Sequence, residues 1–264
     1  AMKFYLHLGK FLLALVFLAQ FFLIAAARDL TEVKSSGVLR VLTVYPEEPT
    51  SLPRDMSPED YELSLLSAFA EENDVALELR HVRSFDELCE KLQKGEGDLA
   101  ASLLTITPER SKRFDFTLPF ISNVEKIVTA TGNDSFKGLD SLVGHSVFVQ
   151  PGTSYQRSAE LLAKDMKGVK VKLAPASVEQ DEIFNKVASG EYEYSIADEV
   201  YIKCFLSDND SIKDVYKLPG KKDIAWGVAK SSPQLKQALD DYIKRVVPSY
   251  QLRAYKEDLP ALKK

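Results

Sequence analysis

The 264 residues, 45% of them apolar, exceed one small domain and exclude a disordered chain, because domains run to about 100–200 residues and disorder goes with low hydrophobicity. A formal net charge of −5 offers no basic surface, so nucleic acid is not expected as a partner. The three histidines, His7, His81 and His145, show no metal-ligand spacing, and neither a metal nor another cofactor is expected.

Residues 2–27 place Lys3 and Lys10 before the apolar run 11-FLLALVFLAQFFLI-24 and close in three alanines. Charged, apolar and small residues in that order are those of a secretory signal peptide, with cleavage near Ala27 and a periplasmic or secreted mature chain. An uncleaved anchor over 11–27 is the alternative, since that stretch reaches the roughly 17-residue lower limit of a membrane span. An oxidising compartment would permit a disulfide between Cys89 and Cys204. Each cysteine, however, sits in an apolar helical pattern, which favours buried free thiols.

From Gly37 the pattern alternates. A strand over 38–45 precedes a helix over 59–73 with Tyr61, Leu65 and Phe69 on one face, then a strand over 75–82 and a helix over 84–95. In the second helix Phe85, Leu88, Cys89 and Leu92 follow the i, i+3, i+4, i+7 rule, and Ser84 with Glu87 forms a capping box. The run 98–104 is apolar without alternation, as a strand covered on both faces should be. This β-α-β-α-β unit predicts a parallel sheet with right-handed crossovers. After 124-VEKIVTAT-131 and the polar break 132–138 a similar series begins: strand 146–150, helix 153–166, strand 169–174, helix 177–190 capped by Ser177, and strand 192–197. A strand over 223–230 and a helix over 233–247 close the chain. Two α/β units in series predict two lobes with a ligand between them.

The stretch 105-TITPERSKRF-114 carries the chemistry. Thr107 stands where an N-cap should, Pro108 is at the first helical position, and the helix start exposes N–H groups suited to an anion. Arg110 adds a guanidinium fork and Thr105 a hydroxyl, together a carboxylate clamp. The alternative is a capped helix with Arg110, Lys112 and Arg113 on a solvated face. In 150-QPGTSY-155, Gly152, Thr153 and Ser154 form either a second anion seat or a capped turn. Asp198, ending the strand 192–197, is either a carboxylate for an ammonium group or an N-cap. A positive clamp in one lobe and an acid in the other match a zwitterion.

The signature 97-GDLAASLLTITPERSKRFDFTLPF-120 resembles the type II periplasmic solute-binding proteins of the polar amino acid-binding family, over about 38–247. The resemblance implies an α/β Venus-flytrap fold, each lobe a mostly parallel sheet flanked by helices. Lobe 1 would comprise 38–129 and 224–264 and lobe 2 130–223, with crossings at 124–131 and 220–227. It further implies that Thr105 and Arg110 hold the ligand's α-carboxylate, that a backbone group at Leu103 assists, that Thr153 and Ser154 close over it, and that Asp198 receives the α-amino group. Where many relatives carry an acidic or polar residue this chain has Val44 and Tyr45, and Tyr45 would supply an aromatic wall. The implied ligand is an amino acid or peptide-like carboxylate, the implied partner an ABC-type membrane permease, and no catalysis is implied. The phrase 192-YEYSIADEV-200 is also similar to the regulatory lobe of the membrane-bound lytic murein transglycosylases F. The Gly-Leu-Met-Gln signature of their enzymatic half is absent from the 264 residues, so a sensor of peptidoglycan fragments is the alternative expectation. A dehydratase on the same fold, with Glu62, Glu125 or Glu199 as the acid, is a further one.

Overall fold

A computed structural model describes residues 27–46 and 57–256, excepting the side chains of 248–256. Residues 2–26 of the expected leader, and with them nearly all of the alternative anchor, lie outside the described residues. Among the described residues no helix is long and apolar enough to cross a membrane.

The chain opens with a helix that periodicity did not announce, α1 (Leu30–Ser36), started by an Asp29–Glu32 capping box. Then come β1 (Val38–Thr43), α2 (Pro58–Glu72), β2 (Ala76–His81), α3 (Phe85–Gln93) and β3 (Leu99–Ala100), with β1 parallel to both β2 and β3. After α4 (Pro108–Arg113) and β4 (Asp115–Phe116) the chain leaves this sheet, returning as β10 (Gly227–Val228) to complete the order β2-β1-β3-β10-β4. The second sheet, ordered β7-β6-β8-β5-β9, is built from β5 (Glu125–Ala130), β6 (Ser146–Val149), β7 (Lys170–Leu173), β8 (Tyr194–Asp198) and β9 (Ile212–Lys217). Its helices are α5 (Ser154–Asp165), α6 (Gln180–Ala188) and α7 (Glu199–Leu206). In each sheet four strands point one way. The strand arriving from the other sheet, β10 or β5, runs antiparallel to both its neighbours.

Both sheets are covered on both faces, as parallel architecture requires. Along β1, Leu39 and Val41 enter a core with Leu65, Leu66, Phe69 and Trp226, while Leu42 enters the opposite core with Leu88, Leu92 and Phe114. Along β8, Tyr194 and Ile196 face Tyr155 and Leu162 of α5, and Ala197 faces Phe184 and Phe205. The last helix, α8 (Pro233–Lys256), returns to the first sheet. Leu235, Leu239, Tyr242 and Ile243 join its core, and Tyr242 Oη donates to the Leu65 carbonyl at 2.9 Å.

Several expected boundaries move. The strand expected over 98–104 is regular only at Leu99–Ala100, because Leu103 takes a left-handed φ of 48° and carries the chain off the sheet. The strand expected over 223–230 contracts to Gly227–Val228, preceded by single bridges from Ile224 to Thr105 and Ile121. Ser177 does not cap α6, which starts at Gln180 with Glu179 at the N-cap position. Ser84 does cap α3 through the Glu87 N–H, but Glu87 reaches back to the Arg83 N–H, so the box is not closed on Ser84. The chain passes from the first sheet to the second ahead of residue 129. From Glu125 onward β5 is hydrogen-bonded to β8 and β9, so the first crossing lies at 121–124. There it runs beside the return crossing, with Lys222 N–H donating to Asn123 O at 2.8 Å and Ile224 N–H to Ile121 O at 2.9 Å.

The Gly-Asp pair of the signature is structural. A side chain at Gly97 would place its Cβ 2.5 Å from Leu42 Cγ, so only glycine fits under β1. Asp98 is buried, and its carboxylate takes Arg40 Nη2 at 2.6 Å, the Arg40 N–H at 2.8 Å and the Arg28 guanidinium. Burial alone would raise its pKa, yet the hydrogen bonds from Arg28 and Arg40 hold it below the ordinary carboxylate value.

Candidate functional site

A cavity of about 400 Å³ lies between the two sheets, lined from the first by Tyr45, Leu103, Thr105 and Arg110 and from the second by Thr153, Ser154, Tyr155 and Asp198. These residues lie at or just beyond the carboxyl ends of β1, β3, β6 and β8, where α/β sheets place ligand sites. All seven residues singled out from the sequence, Tyr45, Leu103, Thr105, Arg110, Thr153, Ser154 and Asp198, line it.

Arg110 projects from the first turn of α4, whose start is set by Thr107 at the N-cap and Pro108 behind it; the Thr107 hydroxyl accepts the Arg110 N–H at 3.3 Å. The guanidinium is not on a solvated face. Arg110 is 9% exposed, lies over the Phe85 ring at 5.3 Å, and donates to Thr105 O and Gly152 O, each at 3.1 Å. The second bond joins the two sheets. Among the described residues Arg110 makes no ion pair with a carboxylate, and desolvation lowers its pKa. A buried cation satisfied only by carbonyls retains its charge for an incoming anion.

Thr105 and Ser154 face one another across the cavity, their hydroxyls 3.1 Å apart. Thr153 is the N-cap of α5: its hydroxyl donates to Gln150 O at 2.7 Å and accepts the Gln156 N–H at 3.3 Å. The helix therefore engages the Thr153 side chain, while Ser154 presents the hydroxyl that meets the opposite wall.

Asp198 occupies the N-cap position of α7, but its side chain makes no capping bond. Tyr155 Oη donates to Asp198 Oδ2 at 2.9 Å, the Asn123 side chain acts on the same carboxyl to lower its pKa, and among the described residues Oδ1 meets no partner in hydrogen-bond geometry. Burial, reinforced by the charge of Glu125, pushes the Asp198 pKa up to about 8. Asp198 and Glu125 are register partners on β8 and β5. Glu125 is itself held by Lys222 Nζ at 3.1 Å and by the Ser158 hydroxyl. With its pKa at about 8 the carboxyl is largely protonated near neutral pH in the ligand-free cavity, and an ammonium group placed beside it would favour the charged form.

Tyr45 is fixed from behind by Glu62. The buried carboxylate takes the Tyr45 hydroxyl, the Leu103 N–H at 3.1 Å and Trp226 Nε1–H at 3.1 Å. The Leu103 amide is thus turned toward Glu62. Burial raises the Glu62 pKa to about 7, against the hydrogen bonds that lower it. Sequence reading considered Glu62 only as an acid by type. Its signal was positional: it lies three, four and seven residues before Leu65, Leu66 and Phe69, on the buried stripe of α2. Gln180, Glu59 and Tyr201, which also line the cavity, gave no such signal.

Comparison with known proteins places these features in context. The sequence model of the bacterial extracellular solute-binding proteins, family 3, matches residues 39–258. The amino-acid-binding protein AabA of Dichelobacter nodosus is 27% identical over 215 residues, covering 78% of this chain and 82% of AabA. The membrane-bound lytic murein transglycosylase F of Aeromonas salmonicida is 27% identical over 202 residues, 76% of this chain but only 40% of the transglycosylase. An ancestral arginine-binding protein solved bound to arginine superposes with a TM-score of 0.69 at 28% identity, covering 83% of this chain and 97% of the ancestral one.

Proposed function

Because this chain belongs to the bacterial extracellular solute-binding proteins, family 3, we propose that it captures an amino acid or a similar small zwitterionic carboxylate between two hinged lobes. We assign the lobes to the two sheets, joined by the crossings at 121–124 and 218–226. One observation carries the reading: among the described residues, a buried guanidinium without a carboxylate partner and a buried carboxyl with an unused oxygen open onto the same cavity. The α-carboxylate would meet Arg110 and the Thr105 and Ser154 hydroxyls, and the α-ammonium would meet Asp198. Tyr45 would wall the side chain.

Closure needs contacts made only when the lobes meet. Arg110 to Gly152 O and Thr105 to Ser154 are such contacts, and the exposed Arg157–Glu109 pair at 2.5 Å reinforces them at the rim. Delivery to an ABC-type permease from the periplasm or cell exterior completes the reading. No chemical step is assigned: Glu62 is enclosed by Tyr45, Leu103 and Trp226 and does not line the cavity. Calorimetric titration with the twenty amino acids and with muropeptides tests the proposal. Saturable binding of an amino acid, abolished by Arg110→Ala, is expected. Binding of muropeptides alone would instead favour a sensor of peptidoglycan fragments. An amino acid hit indifferent to Arg110→Ala would overturn the clamp.

A further inference from the structure

Beside the proposed ammonium seat lies a second buried acid. Glu125 and Asp198 are register partners on the antiparallel strands β5 and β8, and cross-strand partners carry their side chains on the same face of a sheet. Glu125 is 0% exposed and Asp198 1%. Among the described residues neither Glu125 Oε1 nor Asp198 Oδ1 meets a hydrogen-bond partner. Two carboxyls side by side and away from water do not both ionise without compensating positive charge.

That charge comes from the hinge side. Lys222, on the return crossing, donates its backbone N–H to Asn123 O at 2.8 Å. Its Nζ reaches Glu125 Oε2 at 3.1 Å and the Ser158 hydroxyl at 2.9 Å, and Ser158 donates in turn to Glu125. From the elements around it Asp198 thus faces Glu125 of β5, Tyr155 of α5, and Asn123 and Lys222 of the two crossings, with Arg110 on the opposite wall of the cavity. The neighbouring Lys126 and Glu199 pair with each other at 2.9 Å. Among the described residues the two acids therefore share one cation, Lys222, and the charge of Glu125 adds to burial in raising the Asp198 pKa.

We infer that Glu125 and Lys222 are positioning residues for capture, acting through Asp198. They leave the empty seat with two acids for one cation; the ligand's ammonium enters as the second cation, and the proton that the acids retain passes to solvent. The exchange balances: one ammonium is bound, one carboxyl O–H bond breaks and one H⁺ leaves. The inference rests on the capture reading above and deepens it.

Calorimetry of the full chain with each of the twenty amino acids, in phosphate and in Tris at about pH 7, counts the protons exchanged, because the two buffers differ in ionisation enthalpy. For an amino acid that binds, close to one proton is expected to be released per ligand. Affinity is expected to rise about tenfold from about pH 6 to about pH 7, a range in which a free amino acid keeps both backbone charges. Glu62 also titrates there, so variants separate its share. Glu125→Gln keeps an acceptor but removes the second acid, and is expected to release less than about half a proton and to flatten the pH profile. Lys222→Met removes the shared cation and is expected to weaken binding about tenfold at about pH 7 and to carry the rise in affinity beyond about pH 8. A merely structural role would move melting temperature or affinity and leave the proton count and the slope alone. A proton count near zero in the unsubstituted protein overturns the inference and leaves capture standing, as does an unchanged count and slope in a well-folded Glu125→Gln. Lys222→Met carries the same comparison if Glu125→Gln folds poorly. Binding of none of the twenty overturns both readings.

Discussion

Tyr155 Oη donates to Asp198 Oδ2 at 2.9 Å while, among the described residues, Asp198 Oδ1 meets no hydrogen-bond partner, so the buried carboxyl has fewer bonds than its charged form needs. Burial and then the Glu125 charge raise its pKa to about 8. A carboxyl whose folded-state value lies above its unfolded value near 3.8 binds more protons when folded. Its contribution to stability is complete below about pH 4 and is lost as pH rises toward 8. Thermal melts of the ligand-free protein from pH 5 to pH 8 are expected to fall more steeply than those of Asp198→Asn. The same substitution is expected to weaken amino acid binding about 100-fold, since it removes the one carboxyl group of β8, which an ammonium group would draw into its charged form. Parallel pH slopes for the two proteins would remove Asp198 as the source.

Arg110 reaches Thr105 O and Gly152 O with its two terminal nitrogens, both at 3.1 Å. Lysine has one nitrogen on a flexible stem and cannot span both carbonyls while pairing bidentately with a ligand carboxylate. Arg110→Lys is expected to bind amino acid about 10- to 100-fold more weakly with a similar melting temperature. Titration calorimetry beside a thermal melt separates the two effects.

Glu62 answers three donors at once. Glu62→Ala leaves the Tyr45 hydroxyl, the Leu103 amide and the Trp226 indole unpaired in the core, and is expected to cost about 3–5 kcal/mol in urea unfolding. Glu62→Gln keeps an acceptor and is expected to cost about 1 kcal/mol. Because burial raises the Glu62 pKa to about 7, its contribution also declines as pH rises from about 4.5 through 7. Glu62→Gln should flatten that part of the profile.

Asp98 gathers Arg28 and Arg40 beneath β1. Asp98→Ala strands both guanidinium groups and the Arg40 N–H, with an expected loss of about 3 kcal/mol. Its folded-state pKa is lowered, so the stabilisation is present above the unfolded value and disappears as pH falls toward and below it. Acid unfolding of the variant should therefore be less steep below about pH 4 than that of the unsubstituted protein.

Much of this molecule was legible in its sequence. The doubled alternation of apolar runs and amphipathic helices sets two sheets, because a strand buried on both faces and a helix with one apolar stripe can satisfy burial in few ways. Thr105, Arg110 and Asp198 were legible because strand ends followed by polar residues fall at the mouth of such sheets. The left-handed turn at Leu103 was not, since it is sustained by Glu62 from a helix 41 positions away. The early crossing at 121–124 was equally hidden, because apolar content does not say which sheet a strand will join.

Local sequence by itself determined which residues could make strands, helix starts and charges, through spacing, capping and residue chemistry. Only the tertiary structure decided that Arg110 is buried rather than solvated, that Thr153 serves the helix while Ser154 meets Thr105, and that Asp198 Oδ1 is unpaired among the described residues at the same cavity. The physical reason is that desolvation and hydrogen-bond satisfaction depend on what packs opposite a side chain. In this fold the opposite wall comes from the other sheet.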